Sequence, residues 1–356
     1  MVQKTIGFDV LALDAEETIA QLTAAISRSV RRDLRRKGAV VGISGGIDSA
    51  VVTALCARAL GSDAVLGLFT PEQHSAADTL PLSEMVARSQ GVQAKLEDIT
   101  PALDALGCYR RQEDAVREVV PEFGPGWKFK LVLPSVVADD RYRVFSLVAV
   151  SPDGEEVRRR LPVDAYLGMV AATNFKQRTR KMVEYYHADR LNYAVAGTPN
   201  RLEFDQGFFV KGGDGLADFK PIAHLYKTQV YQLAAHLGIP EEIRKRPPTT
   251  DTYSLSQGQD EFYFSLAYDR MDLCLYAHNH GLPPTAICES LDLQPEQVER
   301  VFRDIESKRR TTRYQHLAPL LFGEVAEVSH ALPQVDQTPS GRAKRQSNNE
   351  STGEPA

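Results

Sequence analysis

A short apolar run, Val40-Val41-Gly42-Ile43, ends in Ser44-Gly45-Gly46-Ile47-Asp48-Ser49 and passes at once into the apolar-rich stretch Ala50 to Leu60. That order predicts strand, tight glycine loop, helix. Glycines let the backbone turn sharply and approach a ligand closely, and the unsatisfied N–H groups of a helix start point at an anion. Ser44 and Ser49 add hydroxyl donors, and Asp48 is placed to hold Mg²⁺ beside a pyrophosphate. The chemistry this suits is ATP cleavage with the pyrophosphate held in the loop. It is not a Walker-type loop, because no lysine follows Gly46.

Further polar segments follow in the second half. Gly197-Thr198-Pro199-Asn200-Arg201-Leu202-Glu203 comes after a strand candidate, so Glu203 is expected near the carboxyl edge of a sheet. Next come Gly207 to Gly215, containing Lys211-Gly212-Gly213-Asp214-Gly215, and then Asp218-Phe219-Lys220-Pro221-Ile222. Leu225-Tyr226-Lys227-Thr228-Gln229-Val230 opens a helix, and Arg246-Pro247-Pro248-Thr249-Thr250-Asp251 reads as a proline-stiffened loop. Asn174 and Arg178, four residues apart, share one face of another predicted helix.

The elements that must position these residues alternate in type. Ile19, Leu22, Ile26, Val30 and Leu34 give helical periodicity from about Ala15 to Lys37. Ala64 to Phe69 reads as the next strand, Ser83 to Gln90 as a crossover helix closed by Gly91, and Val92 to Ile99 as a third strand. Later, Asn174 to Tyr186 reads as a helix and Leu191 to Ala196 as a buried strand. Thr228 to Leu237 is an amphipathic helix stopped by Gly238 and Pro240. Such alternation predicts an α/β protein with a doubly wound parallel sheet, whose ligands sit at the carboxyl ends of the strands. Residues 108–160 break the pattern, with Trp127, the alternating stretch Lys128 to Val132, Tyr142 to Val150, and a Ser151-Pro152-Asp153-Gly154 turn before an Arg-rich strand candidate, Glu155 to Leu161. They are expected to form a small β-hairpin insertion within a domain spanning 1–330, and residues 334–356 a polar, disordered tail.

A hydrophobic share of 43% with 25% charged residues is ordinary for a soluble globular chain of 356 residues. The net charge of -5 argues against broad nucleic-acid binding. Arg28 to Lys37 is basic, and a solvated helix face is the expected reading. Cys56, Cys108, Cys274 and Cys288 are widely spaced without a C-x-x-C, which argues against zinc and iron–sulfur sites and for reduced thiols. The N-terminus lacks a signal-peptide pattern, and no apolar run is long enough to span a membrane. A cytoplasmic enzyme is expected, with neither membrane nor nucleic acid among its partners.

The Ser-Gly-Gly-x-Asp-Ser loop resembles the pyrophosphate loop of the N-type ATP pyrophosphatases (adenine nucleotide alpha hydrolase-like fold), which activate a carbonyl or carboxyl oxygen by adenylation. With the later segments in this order, residues 15–315 resemble NAD synthetase, the family that amidates deamido-NAD. The resemblance implies that Gly42, Ile43, Ser44, Gly45, Gly46, Ile47, Asp48, Ser49, Thr198, Lys227 and Thr249 contact ATP, and that Asp48 and Glu203 hold Mg²⁺. It further implies that Asn174, Arg178, Lys211, Asp214, Asp218 and Lys308 contact deamido-NAD, with a homodimer carrying those sites at its subunit interface. Adenylation of the nicotinate carboxylate releases pyrophosphate, and ammonia then expels AMP. No side-chain nucleophile is needed.

The loop begins at Ser44, too early for the nitrilase-like domain of glutamine-using members, so free ammonia or a separate glutaminase partner is expected to supply nitrogen. The chain departs from the family pattern at several positions. Gly212 replaces the usual Tyr, Ser307 the usual His, and Arg201-Leu202 the small residues before the glutamate. The loop after Thr249 is longer and polar from Tyr253 to Gln259, while Asp260-Glu261 resembles the family's acidic pair. These departures leave open an adenylating amidoligase for another carboxylate, or a nucleotide-binding paralogue without turnover. The joint presence of Asp48, Glu203, Lys227 and Thr249 favours turnover.

Overall fold

The apolar run leading into the glycine loop is a central strand. In the computed structural model, which describes residues 5–137, 144–249, 252–264 and 266–323, Ala39, Val40 and Val41 are fully buried. Along the first hundred residues α1 (Ala15–Arg28), β1 (Ala39–Gly42), α2 (Ile47–Leu60), β2 (Val65–Phe69), α3 (Thr79–Gln90) and β3 (Gln93–Leu96) alternate. Two helices follow, α4 (Thr100–Ala105) and α5 (Cys108–Arg117), and then β4 (Lys128–Val132), β5 (Ser146–Val150) and β6 (Glu156–Arg160). The long α6 (Val163–Leu191) leads into β7 (Ala194–Ala196) and α7 (Arg201–Gln206). The remaining helices are α8 (Lys227–His236), α9 (Glu241–Lys245), α10 (Tyr268–Asn279), α11 (Cys288–Leu291) and α12 (Pro295–His316).

The main sheet has the order β3-β2-β1-β7 and is parallel throughout, with Ala39 opposite Val65 on one side and Ala194 on the other. Successive strands move from β1 to β2 to β3, and the chain then returns to place β7 beyond β1. The order therefore reverses between β1 and β7, which is where an open α/β sheet leaves a crevice for ligands. β1 feeds the Ser-Gly-Gly loop into that crevice.

Helices cover both faces. On one, α1, α2 and α8 share a core with β1 that includes Ile26, Val41, Val51, Leu55 and Leu233. α2 is apolar nearly all round and correspondingly buried, as a helix within the core must be. Each fully buried Val or Leu contributes roughly 2 kcal/mol of transfer free energy. On the other face α6 places Ala188 against Val40, Leu68 and Val195. A second core gathers α10, α11 and α12 around Leu273, Leu275, Val298 and Ile305.

The expected insertion over 108–160 differs in two respects. Its first ten residues are the helix α5, because Cys108, Gln112, Ala115 and Val116 recur at helical spacing and bury one face. The charged residues between them obscure that periodicity. Its strands form a three-stranded antiparallel sheet, not a hairpin, with β5 between β4 and β6 and Leu131 opposite Leu147. The expected strand from Tyr142 begins at Ser146, and residues 138–143 lie outside the described residues. Residues Pro319–Ala356 form a second unit, of which only 319–323 are described; the expected tail over 334–356 lies outside the described residues.

Candidate functional site

The loop between β1 and α2 is tightened by its own hydroxyls. The Ser49 Oγ accepts from the Ser44 N–H at 3.2 Å and donates to the Gly46 carbonyl at 2.9 Å. Gly45 lies at φ 71°, and a Cβ there would stand 2.9 Å from Leu82, so the turn demands glycine. Gly42 is needed for a different reason: a Cβ would meet the Glu184 carboxylate at 2.8 Å.

Asp48 sits in the first turn of α2 and forms an ion pair with Lys227, the first residue of α8. The Asn200 side-chain amide donates to Asp48 Oδ1 at 3.2 Å. Asn200 also caps α7 by accepting from the Glu203 N–H at 3.2 Å, while Glu203 accepts from the Asn200 N–H at 3.1 Å. That reciprocal cap aims the Glu203 carboxylate back towards Asp48. Gln259 donates to the other Glu203 oxygen at 3.1 Å. Burial first, and the Asp48 charge second, push the Glu203 pKa up to about 7 against the pull of Lys227. Burial opposes the charge of Lys227, yet Asp48 and Glu203 outweigh it and hold its pKa above the ordinary lysine value.

These groups open into a cavity of about 440 Å³. Gly42, Ile43, Ser44, Gly46, Ile47, Asp48, Ser49, Asn174, Thr198, Glu203, Asp214, Lys227 and Thr249 all line it. Asp214 accepts from the Val210 N–H at 2.8 Å, and its burial raises its pKa.

Other expected contact residues stand outside the lining. Asp218 accepts from the Val195 N–H at 2.7 Å and so closes the sheet edge at β7. Lys211 donates to the carbonyls of Tyr314 and Leu317, both at 2.9 Å, and Arg178 donates to the Lys211 carbonyl at 3.3 Å. Lys308 is nearly buried, pairing with Asp304 and donating to the carbonyl of Tyr263, itself a lining residue. Thr250 and Asp251, and the side chains of Asp260 and Glu261, lie outside the described residues. Of the departures at the α7 start, Arg201 lies over the Tyr226 ring at 4.7 Å and Leu202 is buried in the second core, so neither displaces Glu203 from the cavity.

Sequence reading missed several lining groups. α6 contributes Lys176, Arg180, Lys181 and Glu184 as well as Asn174. Lys176 is buried and donates to Glu72 at 3.0 Å and to the Thr252 carbonyl at 2.9 Å, with His74 Nδ1 at 3.0 Å. Burial and then Lys176 hold the His74 pKa down at about 4, so the imidazole is neutral and its Nδ1 accepts. Nothing in the sequence joins Glu72 to Lys176, which are 104 residues apart. Asn200, by contrast, was findable: Asn-x-x-Glu after a strand is a capping-box signature.

The fold and this loop define an α/β nucleotide-binding class. The family model for NAD synthase matches residues 18–121 and 157–315, leaving 122–156 between the two stretches. The NH(3)-dependent NAD(+) synthetase of Rhizobium meliloti (strain 1021) is 56% identical over 320 residues, covering 90% of this chain and 96% of the relative. That of Rhizobium rhizogenes (strain K84 / ATCC BAA-868) is 54% identical over the same shares. Among solved structures, the NMN synthetase from Francisella tularensis shares the fold, with a TM-score of 0.61 and 20% identity over 87% of this chain and 99% of that one. The chain belongs to the NAD synthase family.

Proposed function

We propose that the chain amidates deamido-NAD to NAD, consuming ATP and ammonia and releasing AMP and pyrophosphate. The observation that carries this reading is the convergence of Asp48, Lys227 and Glu203 on the Ser-Gly-Gly loop within one cavity. A loop of N–H and hydroxyl donors beside a buried lysine suits phosphate oxygens, and Thr198 and Thr249 border the same space. The protein's contribution is positioning and charge neutralisation; the nicotinate oxygen attacks the α-phosphorus, and ammonia then attacks the adenylated carbonyl.

The donor set suits Mg²⁺. No three His, Cys, Asp or Glu side chains cluster to hold a metal among the described residues, and Mg²⁺ is commonly held by one or two carboxylates plus substrate phosphates. Asp48 and Glu203 supply those two, each steadied by Asn200. When bound, the ion would offset charge developing on the departing pyrophosphate.

Deamido-NAD is assigned to the α6 side, with Asn174 and Asp214 in the cavity, Arg178 and Lys211 on segments that also supply lining residues, and Asp218 and Lys308 beyond the lining. A homodimer fits this placement, because α6 exposes Val163, Leu167, Met182 and Tyr186 on the face that carries Arg178. Free cysteines, and the lack among the described residues of any helix long and apolar enough to cross a membrane, support a cytoplasmic setting.

The test is NAD formation by the purified chain with deamido-NAD, ATP, Mg²⁺ and ammonium, following AMP and pyrophosphate alongside. NAD and AMP should appear in step, and Asp48→Ala should lower the rate by at least ~100-fold. ATP cleavage that requires some other acid would reassign the substrate. ATP binding without pyrophosphate release would leave a non-catalytic paralogue.

A further inference from the structure

The stretch that the family model leaves unmatched, 122–156, contains β4 and β5. β5 pairs with one edge of β4. The opposite edge faces the segment 252–259, which follows the proline-stiffened loop and ends beside Glu203. There the Phe129 N–H donates to Ser254 Oγ at 2.8 Å, and the Leu255 N–H donates to the Phe129 carbonyl at 3.1 Å. The Gln257 side chain, almost wholly buried, donates to the Leu131 carbonyl. Phe129 and Leu131 sit two residues apart on β4 and so present their backbone groups to one edge, which the segment meets with one backbone bond and with the side chains of Ser254 and Gln257.

The same segment is held from its other sides. Tyr253 is buried against Phe129, with ring centroids 5.4 Å apart, and Lys176 donates to the Thr252 carbonyl. At the far end Gly258 bridges Thr249, the Gln259 N–H donates to the Pro248 carbonyl at 3.2 Å, and the Gln259 side chain reaches Glu203. The stretch that follows β4 is in turn anchored to α12, whose Arg300 and Gln297 donate to the carbonyls of Val136 and Val137.

We propose that the inserted sheet braces the 252–259 segment against the cavity before nucleotide binds, so that Gln259, on the Glu203 oxygen that the Asn200 cap leaves free, is a second residue positioning Glu203. The brace stands on geometry alone; the role of Gln259 rests on the reading of the cavity as the Mg²⁺–ATP site. A chain without β4 has no edge to offer Ser254, Leu255 and Gln257, and must order this segment by other means. Gln259 is a positioning residue, since it acts through Glu203.

Hydrogen exchange on the full chain without nucleotide tests the brace. The Leu255 and Gln259 amides, which donate to the carbonyls of Phe129 and Pro248, should exchange at least ~100-fold more slowly than in an unstructured peptide. A Ser254→Ala/Gln257→Leu double variant should lose that protection while β1 and β2 keep theirs. Gln259→Ala should leave the protection intact yet weaken Mg²⁺–ATP binding by calorimetry about tenfold, and lower kcat about tenfold with the KM for deamido-NAD unchanged. Fast exchange in the wild type until ATP is added would overturn the brace, as would full protection in the double variant. Unchanged Mg²⁺–ATP affinity in Gln259→Ala would overturn its positioning role. Exchange and calorimetry need no turnover, so absence of NAD formation would reject the assigned reaction and leave the brace to be decided separately.

Discussion

Lys227 is the residue on which the charge balance of the cavity turns. It is almost fully buried between two carboxylates, and removing one partner of a buried ion pair leaves an uncompensated charge. Lys227→Met should therefore destabilise the chain by ~3–5 kcal/mol, measured by urea unfolding at pH 8. Adding Asp48→Asn to that variant should recover much of the loss; if it does not, the ion pair is not what stabilises the site. Asp272 of α10 supports Lys227 from behind, accepting from the Thr228 N–H at 2.7 Å at the start of α8. Burial pushes the Asp272 pKa up to about 7 despite that hydrogen bond. A folded-state pKa above the unfolded value means the native state binds the extra proton. The stability this contributes is fully present below the unfolded pKa of ~3.9 and is lost as pH rises through about 7. Asn retains an oxygen that accepts from Thr228 and carries no charge. Asp272→Asn should thus flatten the fall in stability between about pH 4 and 7, and at pH 8 exceed the wild type by up to ~4 kcal/mol. Parallel pH profiles for the two proteins would contradict this.

Among the elements, α7 shows how a short helix aims a functional group. It has six residues, and its capping box is what turns Glu203 back towards Asp48. Asn200→Ala removes the cap and the amide donor to Asp48 together, so it should cost ~1 kcal/mol in stability. It should also raise the KM for ATP several-fold. An unaltered KM would mean that Glu203 needs no cap to find its place. Elements of this kind were partly legible in the sequence. β1, the glycine loop and α2 could be read because an apolar strand, a required turn and a buried helix leave local patterns. α5 was lost because Arg110, Arg111, Glu113 and Asp114, all on its exposed face, separate the buried positions along the sequence and leave no apolar run. The three strands of the insertion were each read, but not their pairing into one sheet, because pairing partners are not written in local composition. Motif order brought Asp48, Glu203, Lys227 and Thr249 to one cavity. It could not foresee that Asp218 and Lys308 hydrogen-bond to main chain, or that Lys176 meets Glu72, since both depend on how distant segments pack.

On the scale of the whole molecule, α6 divides labour between its faces. Its inner face packs Ala188 against the sheet and lends Lys176, Arg180 and Glu184 to the cavity. Its outer face exposes Val163, Leu167, Met182 and Tyr186, each more than half accessible, at helical spacing along the 29-residue helix with Arg178 between them. Large apolar side chains gathered in one stripe mark an interaction surface more than scattered ones do. We propose that a second copy of the chain covers this stripe, and the consequence separates the two halves of the site. The groups assigned to ATP, Asp48, Glu203 and Lys227, converge within one chain, whereas Arg178 stands on the outer face. Charging the stripe with Leu167→Glu and Met182→Glu should convert a dimer to a monomer in sedimentation velocity. Both positions are exposed, so the variant chain should fold, with thermal stability falling only as far as dimer dissociation requires. Its KM for deamido-NAD should rise at least ~10-fold while Mg²⁺–ATP affinity by calorimetry stays within about twofold. A wild-type chain that sediments as a monomer at micromolar concentration would refute the shared interface. A monomeric variant with an unchanged KM for deamido-NAD would leave the dimer standing but move that substrate wholly inside one subunit.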